Sequence, residues 1–144
     1  FVDRLDVAPN GAVRVVDYKT GRSPKPQWAA DALFQMRFYG LILWRLTGTA
    51  PRRLQLVYLG DGQVLTLDPT TDELLATEEQ IEAIWAAIGR AAESGRFVPR
   101  TSRLCDWCSF RALCPAFGGT PPEPPQEGLD RLAAATGRAA AVPV

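Results

Sequence analysis

The stretch "VVDYKTG", residues 15–21, decides how this chain is read. A valine run with strand character ends in an acid, an aromatic and a lysine, then stops at Thr20-Gly21. Side chains on a strand alternate between faces, so Asp17 and Lys19 share one side and Tyr18 takes the other. Upstream, residues 1–8 form a second strand-like run, separated from 12–19 by Pro9-Asn10-Gly11. That order suits a type I turn followed by a left-handed glycine bulge. The resulting register sets Leu5 opposite Val15, Val7 opposite Val13 and Asp3 opposite Asp17. On the other face Asp6 meets Arg14 as a cross-strand ion pair. A two-residue Asn-Gly loop would shift the register and place Asp3 opposite Tyr18. The bulged loop is preferred because it leaves one face apolar except for its acids and Lys19.

Two carboxylates face to face on a sheet repel, by roughly 3 kcal/mol at about 5 Å and an effective dielectric of about 20. A proton, a base or a divalent cation must offset this. Mg²⁺ suits best, because it takes one or two carboxylates and leaves its other positions for water and phosphate. Lys19 on the same face can then polarise an attacking water and stabilise charge developing on phosphorus. The plainer alternative is a hairpin carrying an Asp17–Lys19 ion pair.

The 144 residues suffice for one domain, and 47% hydrophobic residues allow a real core. Sixteen acids balance sixteen bases, so net charge is silent on nucleic acid. The absence of histidine excludes Ser-His-Asp and Cys-His catalysis and removes imidazole from any metal site this chain builds alone. The longest apolar run, Phe38 to Trp44, is too short to span a bilayer, so no membrane partner is expected. No secretory signal is visible, and a cytoplasmic location is expected.

Residues 29–46 read as a helix on which Gln35 and Tyr39, four apart, share a face. Residues 53–59 are apolar on both faces, as in an interior strand, and Gly60-Asp61-Gly62 turns into a short strand at 63–67. Thr77-Glu78-Glu79-Gln80 reads as a capping box, predicting a helix from about 78 to 94 with Gly95 as its stop. Residues 118–128 are Pro/Gly-rich and read as an exposed linker; the Ala-rich end after it reads as a frayed helix or as disordered, and the 118–144 tail as a whole is expected to be disordered.

"CDWCSFRALC" places Cys105, Cys108 and Cys114 in a C-x2-C-x5-C string. An odd count fits a disulfide framework poorly, and metal or cluster ligation is the better reading. Zinc and iron–sulfur sites usually want four ligands, so a fourth must come from elsewhere. Arg96, Arg100, Arg103 and Arg111 surround the segment as candidate phosphate contacts. Trp107 is expected to pack over the cluster.

In order and spacing, "FVDRLD" (1–6), "VVDYKTG" and "FQMRFY" (34–39) resemble the nuclease domain of the PD-(D/E)xK superfamily, in its RecB-like branch. The resemblance covers residues 1–117. It implies an α/β fold, a mixed sheet flanked by helices with a restriction-endonuclease-like αβββαβ core. It implies that Asp3 and Asp17 bind Mg²⁺ (or Mn²⁺), that Lys19 activates water, and that Gln35 and Tyr39 support the site. Asp6 lies on the opposite face and is left out. The family's first helix and first strand would precede Phe1, so the domain is expected to be N-terminally incomplete. AddB-type subunits and the CRISPR spacer-acquisition nucleases carry a [4Fe–4S] cluster on a similar string ending in Cys-Pro, as Cys114-Pro115 does here. The resemblance then implies Cys105, Cys108 and Cys114 as cluster ligands, with a fourth cysteine upstream. It further implies a DNA exonuclease of repair and recombination, either with a helicase domain or subunit as partner or as a small stand-alone exonuclease. Two rival readings are a non-catalytic DNA-binding module and a zinc-binding interaction domain.

Overall fold

A computed structural model describes residues 2–25 and 29–139. The chain divides into two compact units, 1–81 and 82–144. The first holds strands β1 (Arg4–Val7) and β2 (Val13–Lys19), helix α1 (Ala29–Thr47), strands β3 (Arg53–Tyr58) and β4 (Val64–Leu67), and the start of helix α2 (Thr71–Ser94). The second holds the rest of α2, three short 3-10 helices at Arg103–Trp107, Arg111–Leu113 and Pro115–Phe117, and helix α3 (Gln126–Ala139). No helix among the described residues is long and apolar enough to cross a membrane.

The hairpin forms as its turn residues dictate. Gly11 N–H donates to Ala8 C=O at 2.8 Å, closing the turn, and Gly11 takes the left-handed φ of 81° that a side chain would resist. The β1–β2 ladder is antiparallel, with Leu5 opposite Val15, Asp6 opposite Arg14 and Val7 opposite Val13. The sheet order is β1-β2-β3-β4. β2 and β3 are parallel, which requires a crossover, and α1 supplies it. β3 is interior and pairs antiparallel with β4. This mixed four-stranded sheet is consistent with a restriction-endonuclease-like core.

The β2–β3 register puts Val15 beside Leu54, Asp17 beside Leu56 and Lys19 beside Tyr58. Their shared face packs against α1. Buried Val15, Met36, Leu54, Leu56 and Tyr58 form its core, with Ala32, Leu33, Tyr39 and Leu43 of α1 packed around them. The helical contacts recur every three or four residues, the period of one helix face. Asp17 and Lys19 therefore extend from the apolar end of the only sheet face that α1 is shown to cover among the described residues. Leu54 is fully buried here. Leu54→Ala is expected to lower stability by about 2–5 kcal/mol, read as a shift of the urea midpoint at unchanged slope.

Two expectations need correction. Helix α2 starts at Thr71, seven residues before the expected start at 78. Two Thr-x-x-Glu/Gln strings compete, and the earlier one caps. Thr70 N–H donates to Glu73 Oε2 at 2.9 Å, and Glu73 N–H donates to Thr70 Oγ1 at 3.2 Å. Thr77 lies inside the helix, its hydroxyl donating to Glu73 C=O at 2.8 Å. Starting earlier also buries Leu74 completely. The helix does end at Gly95, with φ 64°.

The second correction is to the 118–144 tail, where residues 126–139 form α3. Leu129, Leu132, Ala133 and Thr136 repeat at helical spacing and are its sheltered positions. A Cβ at Gly89 of α2 would lie 2.8 Å from Thr136 Oγ1, so the two helices meet closely at a glycine. Residues 140–144 lie outside the described residues.

Candidate active site

At the C-terminal end of β2, Asp17 is buried at 4% exposure, and its Oδ2 accepts no hydrogen bond of good geometry. Lys19 Nζ lies 2.7 Å from that oxygen, as an ion pair rather than a directed hydrogen bond. The same ammonium donates to Gln35 Oε1 at 2.8 Å. Gln35 Nε2 in turn donates to the Tyr39 hydroxyl at 2.8 Å. The i, i+4 pair on α1 thus reaches across to the alternate-residue pair on β2. Asp17, Lys19, Gln35 and Tyr39 form one connected polar chain at the edge of an apolar core.

Its electrostatics fix the state of the lysine. The neighbouring Asp17 carboxylate holds Lys19 above its ordinary value of 10.5, against the opposing effect of burial. Lys19 is therefore an ammonium at neutral pH. It can donate to an attacking water or to a phosphoryl oxygen, and it cannot take a proton in this state.

Asp3 departs from its expected place. The ladder begins at Arg4 opposite Val16, so Asp3 lies beyond it, in a bend. Its Oδ2 accepts from Tyr18 N–H at 2.8 Å. The register is the expected one, yet the strand ends one residue early and the carboxylate turns to an amide between Asp17 and Lys19. That still brings Asp3 to the same end of β2. Asp6 is committed elsewhere: Arg4 Nε approaches at 2.7 Å and Arg14 Nη2 at 2.6 Å. The hydrogen bonds from Arg4 and then Arg14 hold its carboxyl below its ordinary range. Tyr18, on the opposite face, accepts from Arg4 Nη1 at 3.3 Å.

A divalent cation fits this donor set on one observation: the buried Asp17 Oδ2 has no hydrogen-bond donor of good geometry and only the Lys19 ammonium beside it, and the Asp3 carboxylate reaches the same end of β2. Among the described residues, no three or more Asp, Glu, Cys or His side chains are grouped to hold a metal. Any cation here must therefore rely on one or two carboxylates, water and substrate.

The same finding applies to the cysteines. Cys105 and Cys114 are half-buried, Cys108 is exposed, and all three are free thiols. Cys105 lies inside the first 3-10 helix, Cys108 follows its end and Cys114 joins the second to the third, with Cys108 N–H donating to Cys105 C=O at 3.3 Å. Cys105 Sγ accepts from Ser102 N–H at 3.3 Å. The three thiols do not converge as a metal group. Trp107, expected to pack over a cluster, is 87% exposed. Arg111 is engaged by Asp106 at 3.0 Å and lies over the Phe117 ring at 4.3 Å, whereas Arg96, Arg100 and Arg103 are exposed.

Sequence reasoning missed one part of this neighbourhood. Gly60-Asp61-Gly62 was expected only to turn the chain. Asp61 Oδ2 also accepts from Ser23 N–H at 3.0 Å and Ser23 Oγ at 2.7 Å, binding the loop that follows Lys19.

Comparison with curated proteins gives no significant match. The profile of the PD-(D/E)XK nuclease superfamily matches residues 1–115, most of the chain and all of the polar array just described. The chain belongs to the PD-(D/E)XK nuclease superfamily.

Proposed function

We propose that this chain is a Mg²⁺- or Mn²⁺-dependent DNA exonuclease module of repair and recombination, acting with a helicase domain or subunit. The observation that carries the nuclease centre is the connected Asp17–Lys19–Gln35–Tyr39 array, in which the buried Asp17 carboxylate is met by the Lys19 ammonium. Asp17 and Asp3 would hold the cation, which supplies charge neutralisation at the phosphate and a more acidic bound water. Lys19, kept protonated, donates to the attacking water and to the phosphoryl oxygens as negative charge builds there. Gln35 fixes the ammonium by accepting from it, and Tyr39 fixes the Gln35 amide by accepting from its Nε2. These two are positioning residues. Linear duplex, nicked circle and closed circle, each incubated with Mg²⁺ or EDTA, test the exonuclease reading. Mg²⁺-dependent loss of the linear form alone supports it. Cutting of the closed circle overturns the requirement for an end.

We propose that Cys105, Cys108 and Cys114 hold a [4Fe–4S] cluster on the support of their spacing and of Pro115, which requires the three thiols to draw together from where they now lie. A fourth ligand must come from outside this sequence's thiols and imidazoles, since it has three cysteines and no histidine. Protein purified without oxygen is expected to be brown, with iron and sulfide in equal amounts, and Cys108→Ser to lose the colour. A colourless protein with stoichiometric zinc would favour the zinc-binding reading instead.

A further inference from the structure

Past Lys19 the chain runs through residues 20–25 towards α1. This short polar loop carries two exposed cations, Arg22 and Lys25, neither of which has an ion-pair partner among the described residues. Surface loops of this composition are ordinarily mobile. Here the tip of the β3–β4 hairpin holds the loop at successive points. Leu59 N–H donates to Lys19 C=O at 2.8 Å, and Gly60 N–H donates to Gly21 C=O at 3.1 Å. Asp61 Oδ2 accepts both the amide and the hydroxyl of Ser23, at 3.0 and 2.7 Å. Its Oδ1 accepts from Gln63 N–H at 3.3 Å, so one carboxylate joins its own turn to the loop. A Cβ at position 60 would lie 2.8 Å from Gly21 O, so the close approach needs glycine.

The clasp leaves both cations without a direct ion pair among the described residues. Asp61 is the nearby acid and Arg22 lies within its field, but its two oxygens are hydrogen-bonded by Ser23 and Gln63. The Ser23 hydroxyl is the main reason its carboxyl is held below its ordinary range, which keeps it an ionised acceptor. Arg22 is flanked by two anchored neighbours, Gly21 and Ser23, and follows three residues after Lys19. A backbone fixed in this way presents cations that are not ion-paired, with less ordering to be done on binding.

We propose that the Asp61–Ser23 clasp makes residues 20–25 a phosphate-contacting arm, with Arg22 and Lys25 taking DNA backbone phosphates next to the bond handled at Lys19. Asp61 is a positioning residue that acts through the loop. This inference rests on the nuclease reading for the identity of its ligand.

The test exploits a difference in sign. If Asp61 were only a surface anion, removing it would make the surface more positive and tighten DNA binding. The clasp requires the opposite. Binding of a short labelled duplex is followed by fluorescence anisotropy across a salt series in EDTA, where no cleavage occurs. Each duplex phosphate contact contributes about 0.9 to the slope of log K against log salt, so the double variant Arg22→Ala/Lys25→Ala is expected to lower that slope by about 2. Asp61→Ala is expected to bind several-fold more weakly, to lose part of the same slope, and to add nothing in the Arg22→Ala/Lys25→Ala background. Ser23→Ala, which keeps every charge and the Asp61 turn, shifts binding the same way by less. Thermal melts confirm that each variant is folded.

An unchanged slope in the double variant overturns the arm. Tighter or equal binding by Asp61→Ala overturns the clasp. A wild type that binds with this slope yet leaves Mg²⁺-treated DNA uncut overturns the nuclease reading and leaves this one standing.

Discussion

Lys19→Met is expected to lower the rate of DNA cleavage by about 10²–10³-fold, the usual cost of removing one donor aimed at developing negative charge. The side chain is matched in length and loses only its charge and its donors. The loss should appear in kcat, because the ammonium acts on charge that appears in the transition state. Lys19→Arg restores a cation without the compact ammonium that Gln35 accepts from, and is expected to recover only part of the rate. Gln35→Ala lowers kcat less than Lys19→Met does, and adds little on top of it, because Gln35 acts through the lysine. The pH dependence follows from the raised folded value of Lys19. The stability that this titration contributes is fully present below the ordinary 10.5 and is lost as pH rises through the higher folded value. The difference in urea midpoint between wild type and Lys19→Met, measured in EDTA, should therefore stay flat through neutral pH and change only on the alkaline side of 10.5. A change centred between pH 6 and 8 would contradict the ammonium assignment.

Asp17→Asn is expected to remove about 10³-fold or more of the cleavage rate while costing little stability. The rate term follows from losing a cation ligand, since several kcal/mol of charge stabilisation corresponds to roughly that factor. The stability term follows from burial. The Asp17 side chain is 6% exposed with an oxygen that finds no directed hydrogen bond, and its partner Lys19 is 35% exposed and can turn to water. Replacing the anion loses its attraction for Lys19 but also relieves its desolvation cost, and the freed ammonium can turn to water, so the urea midpoint should change little. Asp17 would then be a residue retained for chemistry rather than for the fold. Marked destabilisation with unchanged cutting would make it a structural ion-pair partner.

The sequence reading succeeded where local chemistry and period coincide. Pro9-Asn10-Gly11 fixes a turn, the turn fixes a register, and the register puts Asp17 and Lys19 on the face that α1 covers. Gln35 and Tyr39 were readable because four residues make one helical turn. Asp3 was placed correctly along the hairpin but not in its bonding, because a strand end is free to fray and its carboxylate found the Tyr18 amide. The start of α2 was misread because two capping strings lie seven residues apart, and the burial of Leu74, which propensity does not report, accompanies the earlier one. In α3 the helical spacing of Leu129, Leu132, Ala133 and Thr136 supports the helical reading of the Ala-rich end, whereas the composition that suggests disorder belongs to the prolines before it. The Asp61–Ser23 clasp spans 38 residues of sequence and involves ordinary turn residues, so nothing local marks it.

The most direct test of the central claim is single-turnover cleavage of end-labelled linear DNA by the wild type, Asp17→Asn and Lys19→Met, each with Mg²⁺ and with EDTA. Mg²⁺-dependent cutting by the wild type, slowed by about 10²-fold or more in both folded variants, is the predicted result. Cutting that persists undiminished in either variant would contradict the assignment of this array as the catalytic centre.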